Sequence, residues 1–285
     1  MSFRTLPKLD RKPDEIIVVM DGDEEKLEEH TLAGVPVKIL HTKARGAAAK
    51  RNLGVAHSSG EAILFVDDDV EFRVNTVDAM EKCLENEGQV GGVSSFIENQ
   101  QFQEPGLFSR LIYSLCGGWK IKDYAGKCFG PLINLYPRPY SWGPEFQQCE
   151  WLNATCTMYR KAVLPSPCFD RGFTGYSFME DLALSRRVRK KMQIGMSKNA
   201  SYIHHSRPAL YKANLVKLQK MALENRHHIL CAVEGWSGLR AAIAITWLEL
   251  LLLPAKLREV AKNPKNLGVI SGSLSGLAKI WGRSL

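Results

Sequence analysis

The sequence contains no C-x-x-C pair; its seven cysteines are scattered at positions 83, 116, 128, 149, 156, 168 and 231. That absence argues against a zinc knuckle and against a disulfide framework, and for a reducing compartment. An apolar core is missing from the opening stretch MSFRTLPKLDRKPDE, so no secretory signal is expected. The triplets Asn153-Ala154-Thr155 and Asn199-Ala200-Ser201 are accordingly read as chance matches to a glycosylation acceptor. A long hydrophobic run is lacking too. The most apolar stretch, residues 241–255, is interrupted by Thr246, Glu249 and Pro254, too short and broken for a membrane span. No internal repeat and no nucleic-acid-binding motif is present, and nucleic acid is not an expected partner.

What is present is an ordinary globular balance over 285 residues, 45% hydrophobic and 24% charged, enough for one large α/β domain with an appendage. The net charge of +8 (38 Lys+Arg against 30 Asp+Glu) suits an anionic partner, such as a nucleoside diphosphate or an acidic lipid surface.

Between residues 15 and 97, short apolar runs alternate with longer polar ones. Residues 16–20 and 62–66 are continuous runs of strand-forming residues, as in strands covered on both faces. The charged stretch after Asp21 is expected to be a short helix and residues 37–40 a strand. A helix is predicted over 46–57, another over 75–86, and a strand over 90–97. This alternation predicts a mostly parallel, doubly wound sheet. Residues 98–150 change character, rich in Gly, Pro and aromatics, including Phe102, Tyr136, Tyr140 and Trp142. So long a segment without periodicity is a binding region or lid when it is ordered, and its aromatics disfavour disorder. A strand near 153–159, a helix over 180–191, a strand over 201–204 and a long helix over 210–233 follow. Arg240, Lys256 and Arg258 flank the 241–255 stretch and Trp247 lies within it. It fits a helix lying at a membrane interface, or equally one packed on the domain or on a second subunit.

Asp67-Asp68-Asp69 follows directly on a buried strand, where open α/β sheets place their ligands. Adjacent carboxylates repel unless a cation compensates, and hard oxygen ligands suit Mg²⁺ or Mn²⁺. Asp21 ends another apolar strand, and residues 43–52 form a basic stretch whose small residues open a helix, allowing close approach of an anion or a flat base. Glu180-Asp181 opens a helix that ends in Arg186, Arg187, Arg189, Lys190 and Lys191. These charges complement the helix dipole. The helix N-terminus is also expected to keep Asp181 ionised as a general base. His204-His205 ends a strand, and either histidine could complete a metal site with the Asp cluster.

Taken together, EIIVVMDGD, RGAAAKRNLGVAHSSGEAILFVDDDVEF, EWLNATCTMYRKAV, FDRGFTGYSFMEDLALSRRVRK and SYIHHSRP resemble the inverting family 2 glycosyltransferases of GT-A fold, over roughly residues 15–208. The resemblance implies a GT-A-like domain over 1–208, with a helical, membrane-associating extension over 209–285. It implies sugar transfer, of the hexosyl type, from a nucleoside diphosphate donor to a saccharide or lipid-linked acceptor for a cell-surface polysaccharide or glycolipid. The place of work would be peripheral, at the cytoplasmic face of the cell membrane. Asp21, Arg51, Asp67 and Asp68, with Trp151 and Asn153, would bind the nucleotide-sugar. Asp69 would bind Mn²⁺ or Mg²⁺, with His204 or His205 as a further ligand. Asp181 would be the base, with Glu180 as second choice, and residues 98–150 would build the acceptor side.

One departure stands out. The family opens with a strand and helix before the Asp21 strand, whereas here residues 4–11 resemble only the tail of that helix. A central strand position is expected to be empty, which raises the alternative of a shortened, inactive relative that binds a nucleotide-sugar or a partner. A nucleotidyltransferase would need a glycine-rich phosphate loop, which is not seen, and a receiver domain would be far shorter.

Overall fold

A computed structural model of the chain describes residues 5–86, 88–100, 102–138, 144–205 and 214–284. Along the chain, β1 (Ile16–Asp21), β2 (Lys26–Leu32) and β3 (Val35–Thr42) lead to α1 (Ala47–Ala56), β4 (Ala62–Val66), β5 (Val70–Phe72), α2 (Thr76–Asn86) and β6 (Val90–Ile97). Next come α3 (Leu107–Tyr113), which continues into a π-helical turn over Ser114–Gly118, and the short strands β7 (Cys128–Phe129) and β8 (Ile133–Asn134). Strands β9 (Phe146–Cys149) and β10 (Cys156–Arg160), helix α4 (Glu180–Arg189) and β11 (Gln193–His204) precede three helices, α5 (Leu215–Ala232), α6 (Gly238–Lys262) and α7 (Leu267–Ser284). The aromatics Tyr140 and Trp142, the start of the predicted 210–233 helix and the predicted boundary after residue 208 lie outside the described residues.

The chain divides into two compact units, Met1–Phe102 with Tyr136–Arg207, and Gln103–Leu135 with Pro208–Leu285. The first unit is α/β. Its larger sheet has the order β4-β10-β6-β11-β5, with β9 added on β11, and a three-stranded sheet has the order β1-β3-β2. The pairing is mixed rather than mostly parallel: β1 with β3 and β6 with β11 are parallel, while β10 inserts antiparallel between β4 and β6. Sequence alternation could not show this, because β10 enters after an irregular loop and not from a crossover helix. Helix α2 covers the larger sheet because Val77, Met80, Cys83 and Leu84 share one face. They pack with Val93, Met158 and Tyr202 from β6, β10 and β11.

The stretch after Asp21 is a strand and not the expected helix. Residues 26–32 pair antiparallel with β3 through a two-residue turn, Leu32 opposite Val35. Ala33 (φ 51°) and Gly34 (φ 85°) both adopt the left-handed conformation that such a hairpin turn requires. The strand predicted over 201–204 also begins earlier, at Gln193, and includes bulges that interrupt its alternation.

Strand β1 pairs only with β3 and β4 only with β10; among the described residues no strand bonds to the outer edge of either. The two strands start side by side: the Glu15 carboxylate accepts hydrogen bonds from the backbone of Ser59 (2.5 Å) and Gly60 (3.2 Å), just ahead of β4. The resemblance implies a strand in this position, and the described residues supply none. Unpaired edge amides are protected only by the bulk around them. Peptides spanning 16–21 and 62–66 are therefore expected to exchange amide hydrogens much faster than 90–97, whose strand is bonded on both sides. Equal protection in exchange mass spectrometry would show that something covers the two edges.

In the second unit, α7 packs along α5 and α6. Ile112, Cys116 and Leu248 form a small core with Tyr113, Ile133, Leu251 and Leu252. Rings of Tyr113, Tyr124 and Phe129 meet edge to face or tilted at 5.1–5.5 Å. The buried Arg226 guanidinium donates to the carbonyls of Pro131 and of Leu132 (2.7 Å), which ties the 103–135 segment to α5.

Candidate active site

Because β10 is antiparallel to both β4 and β6, and β11 is parallel to β6, strands β4, β6 and β11 all run the same way. Their carboxyl ends, with the segment leading into β10, therefore share one edge of the sheet. Asp67, Ile97, His204 and Trp151 through Asn153 all emerge there, where ligands bind in open α/β sheets.

The register of β5 on β11 builds the first half of the site. Val70 lies opposite His204, which places Asp69 beside that histidine. The Asp69 carbonyl accepts from His205 N–H at 2.9 Å, and His204 Nε2 lies 3.2 Å from Asp69 Oδ1. Ligand atoms of Asp67, Asp69 and His204 all lie within 4.8 Å of one another. Asp69 Oδ1 is buried and accepts no hydrogen bond from the described residues. A buried acceptor left over in a cluster of two carboxylates and an imidazole fits a divalent cation such as Mn²⁺ or Mg²⁺. The other two candidates lie apart from this group. Asp68 is exposed on the β4–β5 turn, and His205 turns its Nε2 onto Glu71 at 2.9 Å. Asn99, which sequence reading gave no role, clamps the His204 backbone, donating to its carbonyl (2.9 Å) and accepting from its N–H (3.1 Å). An Asn just beyond a strand reads as a turn residue, and only the fold reveals its partner.

Helices α1 and α4 build the second half. Arg51 on α1 donates to Asp67 at 2.8 Å and to Glu180 at 2.5 Å, and its guanidinium stands 5.5 Å from the centre of the Phe169 ring. Next to it, Asn52 makes two 2.7 Å bonds with the Phe169 backbone and fixes that ring. Gly46, which opens α1, is a packing position. Gly46 has φ 95°, and a Cβ there would sit 2.4 Å from the Gly175 carbonyl oxygen. That contact sets α1 against the 175–179 loop, where Ser177 (φ 56°) and Met179 (φ 71°) hold left-handed conformations as the chain turns into α4. Asp181 accepts from the N–H groups of Leu182 (2.7 Å) and Ala154. Burial first, and the neighbouring carboxyl second, push Glu180 well above the usual carboxylate range. Burial is also the main cause that raises Asp181, outweighing its two backbone hydrogen bonds. Burial thus acts against the ionising effect expected of the helix N-terminus.

Asp21, at the end of β1, meets Lys50 at 2.8 Å and Arg45 at 3.3 Å, and the Lys50 hydrogen bond leads in holding its carboxyl below the usual range. Trp151 and Asn153 line a solvent-open hollow with Gln100, Phe102 and Tyr136. The Tyr136 and Trp151 rings meet edge to face at 5.1 Å, and the Arg138 guanidinium stands over Phe102 at 4.9 Å. Burial first and the charge of Asp181 second push the Tyr136 phenol up.

The family model described as Glycosyl transferase family 2 matches residues 2–136. An uncharacterized glycosyltransferase of Rickettsia bellii is 29% identical over 126 residues, 43% of this chain but 17% of that protein's length. A second, from Rickettsia felis, is 27% identical over 126 residues, 43% of this chain and 19% of its own. The chain thus spans less than a fifth of these curated relatives. Among solved structures, the mannosyltransferase PcManGT from Pyrobaculum calidifontis, in complex with GDP-Man and Mn²⁺, superposes with TM-score 0.50 at 11% identity, covering 100% of this chain and 83% of its own. TarS 1-349 of S. aureus, in complex with UDP-GlcNAc, superposes with TM-score 0.52 at 14% identity, covering 94% and 74%. Residues 2–136 thus match the glycosyltransferase family 2 model, and the fold is GT-A-like with C-terminal helices.

Proposed function

We propose that the chain is a metal-dependent inverting glycosyltransferase, passing a sugar of hexosyl type from a nucleoside diphosphate donor to a hydroxyl of a saccharide or lipid-linked acceptor. The observation that carries this reading is the double engagement of Asp67. Its carboxylate belongs to the Asp67–Asp69–His204 group and also to the Arg51 bridge that reaches Glu180, next to Asp181. Cation-binding and proton-accepting groups thus meet at one sheet edge, beside an aromatic hollow. The sugar nucleotides held by PcManGT and TarS support the donor class.

Asp69 and His204, with Asp67, would hold Mn²⁺ or Mg²⁺, which when bound neutralises charge on the departing nucleoside diphosphate. Asp21 faces the nucleotide base from the end of β1. Trp151 and Asn153 line the hollow for sugar and acceptor, since an aromatic ring offers the apolar face of a sugar a flat surface. Glu180 is engaged by Arg51, whereas Asp181 lies against Ala154, next to the hollow. Asp181 is therefore the group that takes the acceptor's proton, and Glu180 holds Arg51 in place. The same reading sets the protein peripherally at the cytoplasmic face of the cell membrane, with α6 on the lipid surface, making a cell-surface polysaccharide or glycolipid.

The test is release of nucleoside diphosphate from a panel of sugar nucleotides with Mn²⁺, with and without EDTA. One donor is expected to be consumed, and only with metal. Donor binding without consumption, even with acceptors supplied, would favour the alternative of a binding protein, for which the uncovered edges of β1 and β4 are the motivating feature.

A further inference from the structure

Helix α6 is long and apolar enough, by length and composition, to cross a membrane, and only 28% of its most apolar window is buried. Its inward face, Ala241, Ala242, Ile245, Leu248 and Glu249, is packed. Its outward face is a row of exposed apolar side chains at Leu239, Ile243, Trp247, Leu250, Leu253 and Leu257. Those positions recur every three or four residues, so they form one stripe along about five turns of helix.

A second exposed row lies on α3 and the π-turn that extends it. Leu107 is 89% exposed and Trp119 69%, with Phe108, Leu111 and Leu115 between them. The inner side of this segment, Ile112 and Cys116, packs against Leu248 of α6. The two outward rows join, since the Trp247 indole N–H donates to the Leu115 carbonyl at 3.4 Å. Neither row has a cover among the described residues of this unit. Contiguous exposed apolar surface on this scale marks an interaction face.

Its rim is cationic. The Lys120 ammonium stands 4.7 Å from the Trp119 ring centre and the Arg240 guanidinium 4.0 Å from that of Trp236. Lys122, in the loop that follows the π-turn, and Arg258 on α6 are exposed as well. Apolar side chains ringed by Trp, Lys and Arg suit the boundary of an anionic bilayer, where rings and stems enter the acyl edge and the charges stay with the headgroups. The opposite face of α6 is committed within the unit. There Glu249 pairs with Lys256 at 2.5 Å, Lys256 donates to Ser273 at 2.9 Å, and Gln219 donates to Ser273 at 3.2 Å. These bonds to α5 and α7 leave the outward stripe as the face of α6 that is open to a bilayer.

We propose that the outward faces of α3 with its π-turn and of α6 form one docking face for the anionic surface of a lipid bilayer, with both elements lying in the interface plane. This rests on the peripheral-membrane reading of α6 and extends it to residues 107–119.

The experiment is co-sedimentation of the full chain with phosphatidylcholine vesicles and with vesicles containing phosphatidylserine. Two triple variants are compared, Leu111→Ser with Leu115→Ser and Trp119→Ser, and Ile243→Ser with Trp247→Ser and Leu250→Ser. The parent is expected to partition more strongly onto the anionic vesicles and to lose that excess at high salt. Each triple variant is expected to lose roughly tenfold or more in partition, since three apolar side chains leave the interface. Donor-induced thermal shifts, which read the other unit, should be unchanged. Undiminished binding of the first variant beside loss in the second would overturn the joint face and leave the α6 reading standing. No binding of the parent to either vesicle would overturn both. Self-association of the parent that the variants abolish, without vesicle binding, would assign the face to a second copy and also overturn it. Should a triple variant fail to fold, Trp119→Phe decides the matter: it should remove part of the quenching by brominated lipids seen with the parent, and unchanged quenching contradicts a buried Trp119.

Discussion

Asp181→Asn is expected to leave donor binding near normal and to lower transfer by roughly a hundredfold to ten-thousandfold, the usual contribution of a general base. Asparagine keeps the shape of the side chain beside Ala154 and the hollow but cannot take a proton. Single-turnover transfer, with donor affinity measured separately, distinguishes this from simple loss of substrate. Full activity in the variant would assign the base elsewhere, with Glu180 next in line. The raised carboxyls give the assignment a pH signature. A base must be ionised, so transfer is expected to climb as pH rises through the elevated range of the Glu180–Asp181 pair. Stability runs the other way. An acid whose folded pKa lies above its unfolded one keeps its proton in the fold while the unfolded chain loses it. The pair's contribution to stability therefore falls as pH rises from the usual carboxylate range to the raised one.

Measured above the raised range of Glu180, Arg51→Met is expected to produce the largest loss of stability of any substitution at the site, about 3–5 kcal/mol, the range for removing one partner of a buried ion pair. Glu180 has 11% of its side chain exposed and Arg51 17%, so neither charge is well solvated without the other. Asp67, with 37% exposed, contributes less because water can replace its partner. Thermal or urea unfolding checks the size of the loss, which should shrink at lower pH as Glu180 becomes protonated. Arg51→Lys should fall between the two, because one ammonium cannot supply the two separate N–H arms that reach Asp67 and Glu180. An unchanged melting temperature in Arg51→Met would mean that the bridge does not organise the site.

Two of the strands that end in the site were legible in the sequence as short runs between polar segments, although only β6 is buried along most of its length and β4 buries Phe65 alone. Residues 62–66 and 90–97 are runs whose composition leaves little choice but a strand, and the structure gives the same bounds. Strand β2 was not legible. Its face is solvated, so Glu28, Glu29 and His30 mask the period, and the hairpin is decided by Ala33 and Gly34 instead. At the site, residue types were readable and pairings were not. Arg51 and Glu180 are 129 positions apart, and nothing local says that one guanidinium joins Asp67 to Glu180. The choice between His204 and His205 depends on the register of a three-residue strand, β5, which no periodicity can fix. The aromatics of the middle segment were readable, but which of them line the hollow depends on where the chain returns at Tyr136 and Trp151. Asn99 was missed for the same reason.

The most direct measurement is the melting temperature of the purified chain and of Asp69→Ala against nucleoside diphosphates, with Mn²⁺ and with EDTA. A ligand at a hundred times its dissociation constant adds roughly 2.7 kcal/mol to the folded state. The account predicts an upward shift in the parent with one nucleotide, present with Mn²⁺, lost with EDTA, and absent in Asp69→Ala. A folded parent that shifts with no nucleotide, or an Asp69→Ala chain that shifts as the parent does, would contradict a metal-bridged donor site at Asp67, Asp69 and His204.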